Sequence, residues 1–243
     1  MSKRDIAIKT ADGTAKAGVF KSGSGATAGV VLYMDAFGPR PALDGMAERL
    51  AALGYLVLVP DLYYRSGAYG PFDTKTAFTN PDTRAQIMGM MQGTTQAMTE
   101  RDGAAFIDAL TKEGASGKIG FVGYCMGGTR VMTAAGAYGE RITAAASIHG
   151  GNLASDAPDS PHLKAPSIKG RVYVGVAGVD QSFPPEQSAK LDLALRTAGV
   201  DYAIENYVGM AHGWAVPDHG VYNAAGAERH WKRLTAFFDE ALH

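Results

Sequence analysis

The feature that most constrains this chain is a regular alternation of short apolar runs with segments of helical period. Residues 29–34 (Gly-Val-Val-Leu-Tyr-Met), 55–59, 118–122, 144–148, 171–177 and 202–207 read as strands. Most of them are continuous apolar runs, the pattern of a strand covered on both faces. Between them, residues 41–53, 83–112, 126–138, 185–198 and 224–242 read as helices, the first stopped by Gly54 and the second interrupted by glycines. Strands that alternate with helices are joined by right-handed crossovers. The expected fold class is therefore α/β, a mostly parallel sheet with helices on both faces. Only residues 5–10 and 16–20 depart from it, reading as an opening hairpin around Ala11-Asp-Gly-Thr.

No repeat or linker-like stretch divides the 243 residues, so one domain spanning 1–243 is expected, and 46% hydrophobic residues suffice for its core. The formal net charge of −1 gives no reason to expect nucleic acid or an anionic membrane as partner. The start, Met1-Ser-Lys-Arg-Asp-Ile-Ala-Ile-Lys, lacks the apolar stretch of a signal peptide. No apolar run approaches the ~20 residues that span a bilayer. A cytoplasmic protein is the resulting expectation. One cysteine allows neither an internal disulfide nor a cysteine-built metal site, and no metal or organic cofactor is expected.

Ligands of such sheets sit beyond the carboxyl ends of the strands, which restricts the candidates. Gly123-Tyr124-Cys125-Met126-Gly127 places the lone cysteine between a strand and a helix. It fits the nucleophile elbow Gly-x-nucleophile-x-Gly, with sulfur in place of the usual serine oxygen. The glycines leave room for neighbouring backbone at a sharp turn, and a helix N-terminus facing the sulfur favours negative charge there.

A thiol nucleophile needs a base. Of six histidines, His212 directly follows the last strand on a glycine-flanked loop. His149 also follows a strand and is a second group for the crevice. His162 and His219 fall in polar loops where exposure is expected, His230 lies in the final helix, and His243 is the last residue. Elbow enzymes order their triad nucleophile, acid, histidine. Asp180, ending Val-Gly-Val-Ala-Gly-Val-Asp, has the matching position, whereas Asp156 and Asp159 are loop residues. It would accept the second ring N–H of His212 and fix the tautomer. The oxyanion donors are expected to be the amides of Met126 and Ala36, the latter in the loop after residues 29–34.

Gly-Tyr-Cys-Met-Gly-Gly with Asp180 and His212, together with Val59-Pro-Asp-Leu-Tyr-Tyr-Arg65, resembles the dienelactone hydrolase family over essentially the whole chain. The resemblance implies the α/β-hydrolase fold and a Cys125–Asp180–His212 triad. It also implies a thiolate that opens carboxylate-bearing enol lactones through an acyl-enzyme. An acidic residue interacting with the nucleophile would be Asp35. Of two arginines holding the substrate carboxylate, one would match Arg84, and at the other position this chain has Val216, so uncharged esters and lactones should compete well. Phe37, Tyr64, Tyr124 and Trp214 flank the expected site loops and could pack on a ring substrate. The loops 65–82 and 150–169 are expected to frame the entrance. A broad carboxylesterase or thioesterase would use the same residues. A non-catalytic binding or redox-sensing protein would need neither Asp180 nor His212 at a strand end.

Overall fold

The structure is a computed structural model that describes residues 2–23 and 28–243. The sheet has eight strands: β1 (Ser2–Thr10), β2 (Gly13–Lys21), β3 (Gly29–Tyr33), β4 (Leu56–Pro60), β5 (Ile119–Tyr124), β6 (Ala144–Ile148), β7 (Arg171–Val179) and β8 (Tyr202–Ala211). Their spatial order is β1-β2-β4-β3-β5-β6-β7-β8. The pairs β1–β2 and β2–β4 are antiparallel, and every later pair is parallel. This is the mostly parallel α/β sheet expected from the sequence. The opening hairpin is tighter than expected, because Thr10 pairs directly with Gly13 across the two residues Ala11 and Asp12.

Strands β3, β4, β5 and β6 are buried at every position, which is why they carry no polar alternation. The helices α1 (Pro41–Ala52), α2 (Pro81–Gly93), α3 (Gln96–Lys112), α4 (Met126–Ala137), α5 (Pro185–Thr197) and α6 (Ala224–Leu242) supply the cover. In α6, Trp231, Leu234, Phe237 and Phe238 form the buried stripe, while Asn223 caps its start by accepting the Gly226 N–H at 2.8 Å.

The expected single helix over 83–112 is two helices. The break falls at Thr94 and Thr95, where the Thr95 hydroxyl accepts the Met98 N–H at 3.3 Å and caps α3. A threonine that competes for backbone donors, placed just after Gly93, starts a new helix rather than continuing the old one. The break bears on the site, because Thr94, Met88 and Met91 line the same space as the elbow.

Strand β8 runs to Ala211, past the expected end at Tyr207, so His212 begins immediately where the sheet stops. Opposite it, β7 carries an irregularity between Ala177 and Val179. Gly178 permits this, since a Cβ there would lie 2.6 Å from the Tyr207 carbonyl oxygen.

Candidate active site

Cys125 caps α4 with φ 55° and ψ −118°, left-handed backbone in a residue that has a Cβ. Such a conformation costs about 1–3 kcal/mol and persists only where its surroundings dictate it. Here the Cys125 N–H is shared between the Ile148 carbonyl at 3.1 Å and His149 Nδ1 at 3.0 Å. Glycines let the helix approach the sheet: a Cβ on Gly127 would lie 2.5 Å from both the Tyr33 and Met34 carbonyl oxygens, and one on Gly123 would overlap the Gly127 backbone. The two glycines flanking Cys125 thus serve close packing, with the strain concentrated on Cys125 itself.

The thiol opens into a cleft of about 620 Å³ that His212, Asp180, Ala36 and Met126 also line. His212 Nδ1 lies 2.6 Å from Asp180 Oδ2. The other carboxylate oxygen accepts the Ser182 N–H at 2.8 Å and the Ser182 hydroxyl at 2.7 Å. Burial disfavours a charged His212. The Cys125 charge, the Asp180 hydrogen bond and the Asp180 charge outweigh it, and its pKa is pushed up to about 10. Burial also works against ionised Asp180, yet the bonds from His212 and Ser182 hold its carboxyl below the usual range. The two carboxyl-end loops and the elbow thus meet in one cleft, with Nδ1 tied to the acid and the rest of the imidazole turned to the thiol. Ser182 was not singled out from sequence; the signal was the Asp-x-Ser spacing of an Asx turn.

Tyr63 was also passed over. It is fully buried, and its hydroxyl lies 3.2 Å from the Ala36 carbonyl and 3.3 Å from Met126 Sδ, bridging the two segments expected to supply the oxyanion donors. Its neighbour Tyr64, expected at the site, turns the other way. The Tyr64 hydroxyl contacts Thr10 at 2.7 Å and Asp102 at 3.0 Å, beside the hairpin. Successive residues in the turn face opposite ways, and the buried one sits under the cleft.

Other expected substrate contacts also move. Tyr124 is wholly buried and its hydroxyl meets His230 Nε2 at 2.9 Å, so it supports the elbow from below. Trp214 is wholly buried against His149 and Tyr207, with ring centroids 5.0 and 4.7 Å away. Phe37 packs edge-on against Phe78 and lines the neighbouring cleft with Arg40 rather than that of Cys125. Arg84 is exposed on α2 and is not among the lining residues, while Val216 is fully buried. The two positions of the arginine pair therefore hold no guanidinium at the cleft. Instead the cleft has an apolar wall of Phe78, Met88 and Met91, and a cation, Arg130.

Asp35, expected to act on the thiol, is committed elsewhere. Its Oδ1 accepts the Phe37 N–H at 2.9 Å and Arg40 Nη1 at 2.7 Å; its Oδ2 faces Arg40 Nη2 at 2.8 Å and His219 Nε2 at 2.9 Å. Burial raises the cost of its charge, but the bonds from His219 and Arg40 keep its pKa below the ordinary value. Arg40 in turn donates to Asp218 through Nε at 2.6 Å. The brace ties the loop carrying Ala36 to the loop that follows His212. His219 is therefore largely enclosed rather than exposed, and His162 is buried against Ser160.

A model of the dienelactone hydrolase family matches residues 16–242. The chain belongs to that family. Among curated relatives, an Escherichia coli O157:H7 protein provisionally named carboxymethylenebutenolidase is 26% identical over 219 residues, covering 87% of this chain and 76% of its own. A hydrolase of Aspergillus violaceofuscus is 30% identical over 175 residues, 70% of this chain and 62% of its own. Among solved structures, a Klebsiella pneumoniae protein provisionally titled a dienelactone hydrolase superposes with a TM-score of 0.84 at 20% identity, covering 98% of both chains, which shows the α/β-hydrolase fold. A dienelactone hydrolase-like promiscuous phosphotriesterase from metagenomic libraries superposes at 0.81 with 25% identity, covering 100% of this chain and 99% of that one. Membership in this family makes the protein a hydrolase of dienelactone hydrolase type. Among the described residues no helix is long and apolar enough to cross a membrane, and no cluster of three or more histidine, cysteine or acidic side chains could hold a metal ion.

Proposed function

We propose that the protein hydrolyses a lactone or small ester through a thioester on Cys125, with His212 as proton carrier and Asp180 orienting it. One observation carries the reading: Cys125, His212 and Asp180 come from three separate loops to line one cleft, with His212 Nδ1 2.6 Å from Asp180 Oδ2. His212, whose charged form a negative sulfur favours, takes the thiol proton as the sulfur attacks. The thiolate adds to the carbonyl carbon, and the carbonyl electrons move to oxygen, where the amides of Ala36 and Met126 stabilise them. Collapse breaks the carbon–oxygen bond, and His212 gives its proton to the departing alkoxide. An acylated sulfur carries no charge, so the main support for the imidazolium is then gone. The neutral ring can take a proton from water, whose oxygen adds to the thioester. Collapse of this second adduct releases the acid, and the sulfur takes its proton back from His212. Asp180 serves both halves by holding Nδ1–H, which leaves Nε2 free to accept.

The lone cysteine makes the test direct. Iodoacetamide can label only Cys125, so alkylation and loss of 4-nitrophenyl butyrate hydrolysis should advance in parallel. The untreated enzyme should show a burst of nitrophenolate equal to its concentration. Turnover that survives complete alkylation refutes the assignment. The open cleft with its apolar wall supports small uncharged esters as well as lactones among the substrates.

A further inference from the structure

Arg130 lies in the second turn of α4, about 7 Å along the helix axis from Cys125 at ~1.5 Å per residue. It lines the same cleft as the thiol yet is only 8% exposed. Buried guanidinium groups are ordinarily paired, because removing the charge from water costs several kcal/mol. This one is not. Among the described residues its single hydrogen bond runs from Nη2 to the Thr94 carbonyl, at the break between α2 and α3. Its Nε has no partner, and no carboxylate comes within ion-pair distance. The carboxylate it feels, Asp159, is exposed, lines the same cleft and makes no ion pair with it. Burial lowers the Arg130 pKa to about 10, which still leaves it charged at neutral pH. A guanidinium carries five donors. Most of these are idle, beside a reactive thiol and opposite an apolar wall.

Resting on the cysteine-hydrolase reading, we propose that Arg130 selects the substrate: it takes a carboxylate borne on the acyl part, whose apolar body lies against Phe78, Met88 and Met91. The arginine faces the site from the nucleophile's own helix, and neither Arg84 nor position 216 is involved. The Thr94 bond anchors Nη2 and so restrains the guanidinium, and a planar acceptor meets a partly held fork rather than a free cation. A purely structural arginine would brace Thr94 and leave substrate preference untouched, and this difference is measurable.

The experiment compares kcat/KM for mono-4-nitrophenyl glutarate, which has a free carboxylate, with that for 4-nitrophenyl methyl glutarate. Wild type, Arg130→Lys and Arg130→Met are measured at constant salt. The acid-over-methyl-ester ratio should fall about 10- to 150-fold in Arg130→Met, the range of one charge-assisted hydrogen bond. It should fall less in Arg130→Lys, which keeps the charge and loses the fork. Rates that fall equally for both substrates, or a ratio that does not move, overturn the proposal. Should the variants fail to fold, wild type decides alone: glutarate must inhibit 4-nitrophenyl butyrate hydrolysis competitively and glutaramide, uncharged and without an ester, must not. Equal inhibition by the two, or none by either, also overturns it. Loss of butyrate turnover on alkylation of Cys125 reports only on the parent reading, so either failure can be recognised by itself.

Discussion

Replacing Asp180 by asparagine tests the hydrogen-bond logic of the site most sharply, because three donors converge on that carboxylate. Ser182 N–H and Oγ–H approach Oδ1 at 2.8 and 2.7 Å, and His212 Nδ1 approaches Oδ2 at 2.6 Å. An amide keeps the shape but has one acceptor oxygen and an NH2 group. With the oxygen toward His212, the NH2 meets the Ser182 N–H donor to donor. With the oxygen toward Ser182, the NH2 meets Nδ1, which must then be the acceptor. The ring proton moves to Nε2, and the base that activates water is lost. Loss of the charge-assisted bond alone costs ~1.5–3 kcal/mol, about 10- to 150-fold in rate at ~1.4 kcal/mol per decade. The wrong tautomer brings the loss toward the ~10⁴ found for serine triads. The expected fall in kcat is thus between about 10² and 10⁴. Stopped-flow release of nitrophenolate separates the steps: the slow phase after the burst should suffer more than the burst, because water activation needs the neutral base. A folded Asp180→Asn enzyme whose steady-state rate stays within about threefold of wild type would refute the reasoning.

Three further outcomes follow from particular contacts. The His212 pKa rises from 6.5 to about 10 on folding, so its contribution to stability is full below about 6.5 and is lost as pH rises through about 10. Urea midpoints should therefore fall across that window, and in Cys125→Ala, which lacks the charge that most raises this pKa, the fall should be smaller and end at lower pH. Arg40→Met leaves Asp35 buried with only the Phe37 N–H and His219 as partners, and should cost about 3–5 kcal/mol in urea unfolding; adding Asp35→Asn should recover part of it. Tyr63→Phe leaves the Ala36 carbonyl and Met126 Sδ without their shared donor and should cost about 1–3 kcal/mol, with kcat reduced more than KM is raised.

The fold was legible because burial on both faces of β3 to β6 removes polar alternation and leaves strand-length apolar runs between helices. Cys125, Asp180 and His212 could be singled out as a candidate triad because such groups stand at strand carboxyl ends in a set chain order, and position along the chain encodes that. The cleft wall could not be read in this way. Tyr63 and Tyr64 are adjacent and chemically alike, and only the tertiary contacts of their hydroxyls show which of them turns inward. Trp214 and Tyr124 are as aromatic as any substrate contact, and only packing shows that they lie beneath the site. Asp35 could not be recognised as a brace, because its partners Arg40, Asp218 and His219 come together only through the tertiary fold. Arg130 stands inside a helix, and nothing in the sequence around it tells a buried, unpaired cation from an exposed one.

The brace from Asp35 through Arg40 to Asp218 and His219 joins the segment after β3 to the segment after β8, and β5, β6 and β7 lie between those strands. A lengthened or shortened loop at either end would pull on Ala36 and leave a charge stranded in the interior. Variation there is therefore expensive. The wall built from Phe78, Met88 and Met91 has no such tie: Phe78 and Met88 face solvent at 44% and 39% exposure and can be exchanged without disturbing a buried charge. Descendants of this sequence are thus free to change their diet through α2 and the loop before it, while the chemistry is inherited intact.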